Sequence, residues 1–135
     1  MSRLVLFDSS VLIDQFRTNR HAERIAKIDG LIRLSSVVLS ELIRGAKGKS
    51  ELETLRFMEK NLPILTPNEK NWLESGQILG RMFSDRGFAP QKLRDLHFDV
   101  LIALTARQYG SRLITSNRSD FELIRTYRDF DLEVW

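Results

Sequence analysis

Apolar and polar positions along the chain fall into blocks that repeat one grammar: a short apolar run, a small polar residue, then apolar residues at helical spacing. The first run, Leu4-Val5-Leu6-Phe7, meets Asp8-Ser9-Ser10 and passes into Val11-Leu12-Ile13-Asp14. A continuous apolar run of this length suits a central strand of a parallel sheet, covered on both faces. Ser9 or Ser10 then serves as the helix N-cap, and Asp8 taken alone reads equally as a cap. Helical period continues to Phe16. Thr18-Asn19 signals a second helix through Ala22, Ile25, Ala26 and Ile28, which Gly30 stops.

The grammar then repeats. Leu31 to Ser35 reads as a strand, Val37 to Gly45 as a helix carrying Glu41, and Lys47-Gly48-Lys49-Ser50 as a basic connector. A helix over 51–61 leads to a brief strand at Pro63-Ile64-Leu65. Thr66-Pro67-Asn68-Glu69 combines a cap, a proline at the first helical position and a glutamate at the third. The helix it opens carries Trp72, Leu73, Ile78, Leu79, Met82 and Phe83, a core or dimer face, before Gly87 to Pro90 break it. After a basic stretch, Gln91 to Arg94, the segment 95–106 predicts an almost wholly apolar and therefore buried helix, interrupted by Asp99. Arg112 to Thr115 is a fourth strand, Ser116 to Phe121 turns into a short helix, and Leu132 to Val134 makes a last edge strand. Alternating strands and helices without repeats or linkers predict one α/β domain over 1–135, with a parallel sheet of four or five strands.

Composition narrows the function classes. At 135 residues the chain can bury a core without a metal or disulfide, and with no cysteine it has neither disulfides nor thiolate metal sites, which fits a reducing cytosol. No apolar stretch approaches the twenty or so residues of a bilayer span, and the start lacks a signal-peptide layout, so a soluble cytoplasmic protein is expected. The net charge is +3, from 21 Lys and Arg against 18 Asp and Glu. If four acids are sequestered in a site, 21 bases face 14 acids, a surface excess of +7 that favours a polyanionic partner.

Four carboxylates or their neighbours carry the candidate chemistry. Asp99 in an apolar helix needs compensation, since a lone buried carboxylate costs several kcal/mol; a first-turn position with Asp95 as cap is the structural alternative. Glu41 sits on a largely apolar helix, where Arg44 three positions on can also pair with it. Asp8, Glu41, Asp99 and either Asn117 or Asp120 each follow a different strand or lie on the helix before one, and in a parallel sheet those positions share an edge. An all-oxygen set of this kind selects Mg²⁺ or Mn²⁺, and the chemistry it supports is phosphodiester hydrolysis. The alternatives lack their parts: no glycine-flanked serine elbow, no Gly-rich phosphate loop, and Ser10 where a phosphoaspartyl enzyme usually places a second Asp. His21 reads as exposed and His97 as a helix-terminus residue or a substrate contact.

The segments Leu6 to Asp14, Ser40 to Gly45, Asp99 to Ala106 and Leu113 to Phe121, in this order, resemble the PIN-domain ribonucleases and, within them, the VapC-type toxins of toxin-antitoxin pairs. The resemblance covers nearly the whole chain. It implies an α/β/α sandwich, metal-dependent endoribonuclease activity, homodimers, and neutralisation by a VapB-type antitoxin. By position, Asp8 and Asp99 match the principal metal ligands and Glu41 the third acid. Where many members carry an acid two residues after the strand end, this chain has Asn117, leaving Asp120 as the nearest acid. Ser10 and Thr115 resemble residues that orient ligands, and Arg44 and Arg118 candidate RNA contacts. The alternatives are a catalytically silent RNA-binding or antitoxin-binding module, and a DNA-directed nuclease on the same fold.

Overall fold

The computed structural model describes residues 3–135. Its elements are β1 (Leu4–Phe7), α1 (Ser9–Thr18), α2 (Ala22–Ala26), β2 (Leu31–Ser35), α3 (Ser36–Arg44), α4 (Lys49–Asn61), β3 (Ile64–Leu65), α5 (Glu69–Arg86), α6 (Pro90–Gln108), β4 (Arg112–Thr115), α7 (Arg118–Tyr127) and β5 (Leu132–Val134). The five strands form one sheet in the order β3-β2-β1-β4-β5, and every pair is parallel. It is an α/β fold with a central parallel sheet flanked by helices. The chain steps outward from β1 through β2 to β3, then returns to add β4 and β5 on the other side. The order therefore reverses between β1 and β4, and a crevice opens beyond the carboxyl ends of strands at such a switch point. Asp8 follows β1 there, and Thr115 closes β4.

The apolar runs behave as their composition requires. Val5, Leu6, Phe7, Leu113 and Ile114 are buried on the two central strands, and Leu96 with Val100 to Ala106 buries α6 against them. Several segment boundaries differ from the sequence expectation, the main ones for local reasons. Asp8, not Ser9 or Ser10, takes the N-cap position of α1, and both serines are helical. Asn19 ends α1 in a left-handed conformation (φ 56°) instead of opening α2, which starts at Ala22 after His21. The α5 cap is Asn68, in a reciprocal capping box with Asn71, so Thr66 and Pro67 precede the helix. Pro90 begins α6, which makes the basic stretch its first turn and places Asp99 mid-helix, beyond the reach of a first-turn dipole. His97 likewise lies within α6, sharing a hydrogen bond of 3.1 Å with the Ser75 hydroxyl, and is no helix-terminus residue.

His21 is buried, at 2% exposure, against the expectation of an exposed residue. It packs on the Trp135 ring at 5.4 Å, with Nε2 3.6 Å from Asp14. On α5, Ile78, Leu79 and Met82 enter the core while Trp72, Leu73 and Phe83 stay exposed. Among the described residues no helix is long and apolar enough to cross a membrane.

Gly30 brings α2 back to the sheet at a close approach. A Cβ there would stand 2.6 Å from the Arg3 carbonyl oxygen, which accepts the β2-opening bond from Leu31 N at 2.7 Å. Gly30→Ala is therefore expected to destabilise the fold by about 1–3 kcal/mol, a loss visible in thermal melting.

Candidate metal centre

Asp8 is held by the two central strands. Its backbone N–H donates to the Ile114 carbonyl at 2.9 Å, continuing the β1–β4 pairing one residue past the strand. Its carboxylate is buried, at 3% exposure, and makes no bond that caps α1, so the helix start is where it sits and not what it serves. Oδ2 accepts from Ser10 Oγ at 2.8 Å and Thr115 Oγ1 at 2.9 Å. Oδ1 keeps only a long contact with Ser9 Oγ at 3.4 Å. The Thr115 hydroxyl in turn accepts from Asn117 N at 2.9 Å, and Ser10 Oγ from Ser116 N at 3.1 Å. Ser10 and Thr115 thus bind the end of β1 to the turn after β4, with one carboxylate oxygen fully committed.

Glu41 reaches the same region from α3. Its Oε1 is buried without a hydrogen-bond partner. Burial raises its pKa first and the Asp8 charge second, against lowering by Arg44 and by a hydrogen bond from Ser9. Asp99 enters from α6, partly buried. Its pKa is pushed up to about 8, by burial first and then by the charges of Asp8, Glu41 and Asp120, with Lys92 opposing. Asp120 stands at the start of α7, paired with Lys92 Nζ at 3.3 Å and receiving Asn117 Nδ2 at 3.0 Å. The structure therefore brings Asp8, Glu41 and Asp120 within electrical reach of Asp99, and Asp8 within reach of Glu41. Asn117 occupies a different post: its Oδ1 caps α7 by accepting from Asp120 N at 3.4 Å, while its Nδ2 steadies Asp120. Arg44 is exposed beside Glu41, and Arg118 is paired with Glu122 at 3.1 Å.

The acids sense one another without closing on a point. Among the described residues no three Asp, Glu or His side chains form a ready-made metal cage. That openness suits Mg²⁺ or Mn²⁺, which take one or two carboxylates and complete their shells with water and phosphate oxygens. Asp99 and Glu41, both raised by burial and by neighbouring charge, together with a buried Glu41 oxygen lacking a donor among the described residues, are the state in which a hard cation would be most stabilising. The residues fit such an ion.

Two contributors escaped the sequence reading. Ser9 Oγ lies between two acids, 3.4 Å from Asp8 Oδ1 and close enough to Glu41 to lower its pKa by a hydrogen bond. Lys92 counters both Asp99 and Asp120. Lys92 lies seven residues before Asp99, two turns along one helix face, a signal hidden by starting α6 too late. Thr115→Val tests the hydroxyl between Asp8 and Asn117, since it takes one of two donors from the buried Asp8 Oδ2 and leaves the Asn117 N–H without its acceptor. A loss of about 1–3 kcal/mol in chemical denaturation is expected; an unchanged midpoint would show that the hydroxyl is dispensable.

A family profile described as PIN domain matches residues 5–126. Among curated proteins none matches the chain. Among solved structures, the chain is similar to one in the crystal structure of DNA-bound VapBC from Salmonella typhimurium, with 22% identity and a TM-score of 0.72 over 100% of this chain and 99% of that one. It is similar to a chain of VapBC-1 from nontypeable Haemophilus influenzae at 21% identity, with a TM-score of 0.71 and 98% of each chain covered. A third likeness is to VapBC2 from Rickettsia felis bound to a DNA fragment from their promoter, at 22% identity, a TM-score of 0.68 and 98% coverage of each chain. At these identities the likeness is one of fold.

Proposed function

The chain belongs to the PIN-domain family, and on that footing we propose that it is a metal-dependent endoribonuclease, the toxin of a VapBC-type toxin-antitoxin pair. The observation that carries the reading is the convergence of Asp8, Glu41 and Asp120, each from a different element, on Asp99, whose pKa is pushed up to about 8 by burial first and by those three charges next. In this reading Asp8, Glu41 and Asp99 hold Mg²⁺ or Mn²⁺ and Asp120 completes the acid set, kept in place by Asn117 and Lys92. When bound, the ion supplies a nucleophilic water and offsets charge on the phosphodiester oxygens. Ser10 and Thr115 keep the Asp8 carboxylate in one orientation, leaving Oδ1 the freer oxygen. Asp99, its pKa pushed up to about 8 by burial and its neighbours' charges, holds a proton at neutral pH when the acids stand without a cation. Arg44, exposed beside Glu41, and Arg118 are the candidate contacts for substrate phosphates in this reading.

The VapB-type partner is supported by three similar folds that come from VapBC complexes. A homodimer is supported by the exposed Trp72, Leu73 and Phe83 on α5, and a cytoplasmic location by a chain without cysteine. The direct test is cleavage of matched RNA and DNA single strands by the purified chain with Mg²⁺, with Mn²⁺ and with EDTA. RNA cut only in the presence of a divalent ion is expected. Cleavage of DNA alone would replace the substrate, and RNA bound equally well by Asp8→Asn but never cut would establish the silent-module alternative.

A further inference from the structure

We propose that a groove across α5, α6 and α7 is an exosite for the sugar-phosphate backbone of single-stranded RNA, distinct from the acids that cut it. The choice of RNA rests on the nuclease reading above; the groove's preference for a polyanion rests on its own charges. One cavity of about 430 Å³ is lined by Asn68, Lys70, Glu74, Arg107, Gln108 and Arg128, among others. A second, of about 510 Å³, shares Glu74 and Arg128 and adds Gln77, Arg81 and Tyr127. The two cavities lie side by side against the Glu74–Arg128 pair and are taken together as one trough. Its four cations face one acid, and Glu74 is already neutralised by Arg128 at 3.1 Å.

Three of the four, all but Arg128, keep capacity for a phosphate. Lys70 is exposed and has no ion pair among the described residues. Arg107 spends Nη1 on the Asp129 carbonyl at 2.7 Å, and the rest of its fork has no partner among the described residues. Arg81 lies over the Tyr127 ring at 5.4 Å, a contact that holds the guanidinium without neutralising it. The acid nearest that end, Asp85, accepts from Tyr127 Oη at 3.0 Å, beside Arg86, whose Nε donates to the same oxygen at 3.3 Å. The amides of Asn68, Gln77 and Gln108 add neutral donors of the kind that bind phosphate and ribose.

The groove also lies within reach of the acids. Arg107 follows Asp99 by eight residues on α6, about 12 Å along the axis at the helical rise. A strand held at the acids would need only a few nucleotides to enter the trough. With Asp8, Glu41, Asp99 and Asp120 set apart, 21 bases face 14 acids in the remainder of the chain. Four of those bases line this trough.

The test uses the full chain and a double variant, Lys70→Glu with Arg81→Glu; Lys70→Gln with Arg81→Gln serves if the reversals disturb folding. Anisotropy of a labelled single-stranded 20-mer RNA is followed against salt in EDTA, so that binding is scored without cleavage. Cleavage of the 20-mer and of a hexamer is followed in Mn²⁺. The double variant should bind the 20-mer about tenfold more weakly, with its salt slope reduced by about 1.4 for two lost phosphate contacts. KM for the 20-mer should rise by a similar factor while kcat, and kcat/KM for the hexamer, stay as in the wild type. Unchanged 20-mer binding, or an equal loss on the hexamer, overturns the exosite. So does wild-type binding displaced by polyglutamate but indifferent to the two reversals. Salt-dependent 20-mer binding that needs Lys70 and Arg81, in a chain that cuts no RNA, keeps the exosite and removes the nuclease reading. Cutting of the hexamer without any preference for the 20-mer does the opposite.

Discussion

Asp99→Asn is expected to abolish metal-dependent cleavage and to make the metal-free protein more stable. Both outcomes follow from one cause. Asp99 is crowded by the charges of Asp8, Glu41 and Asp120 and is partly withdrawn from water, so its ionised form is costly in the folded state. Asparagine keeps the volume and removes the charge. Outer partners of metal ligands typically cost about 10- to 100-fold when lost, and removal of a charged ligand should exceed the upper end of that range. Relief of the repulsion should raise the apo melting temperature at pH 7.5 by about 4 °C or more, the equivalent of at least ~1 kcal/mol. Scanning calorimetry in EDTA together with RNA cleavage in Mn²⁺ reads both. A variant that cuts at the wild-type rate would remove Asp99 from the site, and one that melts lower than the wild type would show that its carboxylate is a structural support.

The second large effect is a pH dependence of opposite sign in the absence and presence of metal. In the unfolded chain Asp99 has given up its proton above about pH 4. In the folded chain it keeps that proton up to about pH 8. Between those values the folded state binds more protons, so the contribution of this group to stability falls as pH rises and is fully lost above the folded value. Glu41, raised by burial and by Asp8, slopes the same way. Apo melting temperature should therefore decline from pH 5 to pH 8, and Asp99→Asn should flatten that decline. Mn²⁺ binds the ionised acids, so its stabilisation should grow over the same window, reaching about 2.7 kcal/mol at a hundredfold excess over Kd. Equal slopes for wild type and Asp99→Asn in EDTA would show that the acid titrates normally.

The sheet and the acids on it were legible because their signals are local. Leu4 to Phe7 ending at Asp8 is a buried strand with a polar stop, and an acid inside the apolar run from Leu96 to Ala106 is visible without any structure. The parts that were misplaced depend on partners distant in sequence. His21 has the neighbours of a surface residue, Asn19-Arg20 and Glu23-Arg24, and is buried only because Trp135 closes over it. Asn117 looks like a weakened ligand, yet the turn after β4 uses its amide to cap α7 and steady Asp120. The basic run at Gln91 to Arg94 reads as a loop because Gly87 to Pro90 is strong punctuation. Pro90 is instead tolerated at the first helical position, and that shift alone aligns Lys92 with Asp99.

The bond from Thr115 to Asp8 spans 107 residues of sequence, and the strands that carry them meet nowhere earlier in the chain. Closing so long a loop is among the last events a folding chain can complete, since the entropy of ordering must be met before the contact is made. During synthesis, at roughly 5–20 residues per second, the first acid therefore waits several seconds for the strand that orients it. A nascent chain still threaded through the ribosome would present Asp8 on an unpaired edge, without Thr115, Asn117 or Asp120. If the chain is the ribonuclease proposed above, it would stay inert beside the ribosome's own RNA until β4 and the turn after it had emerged.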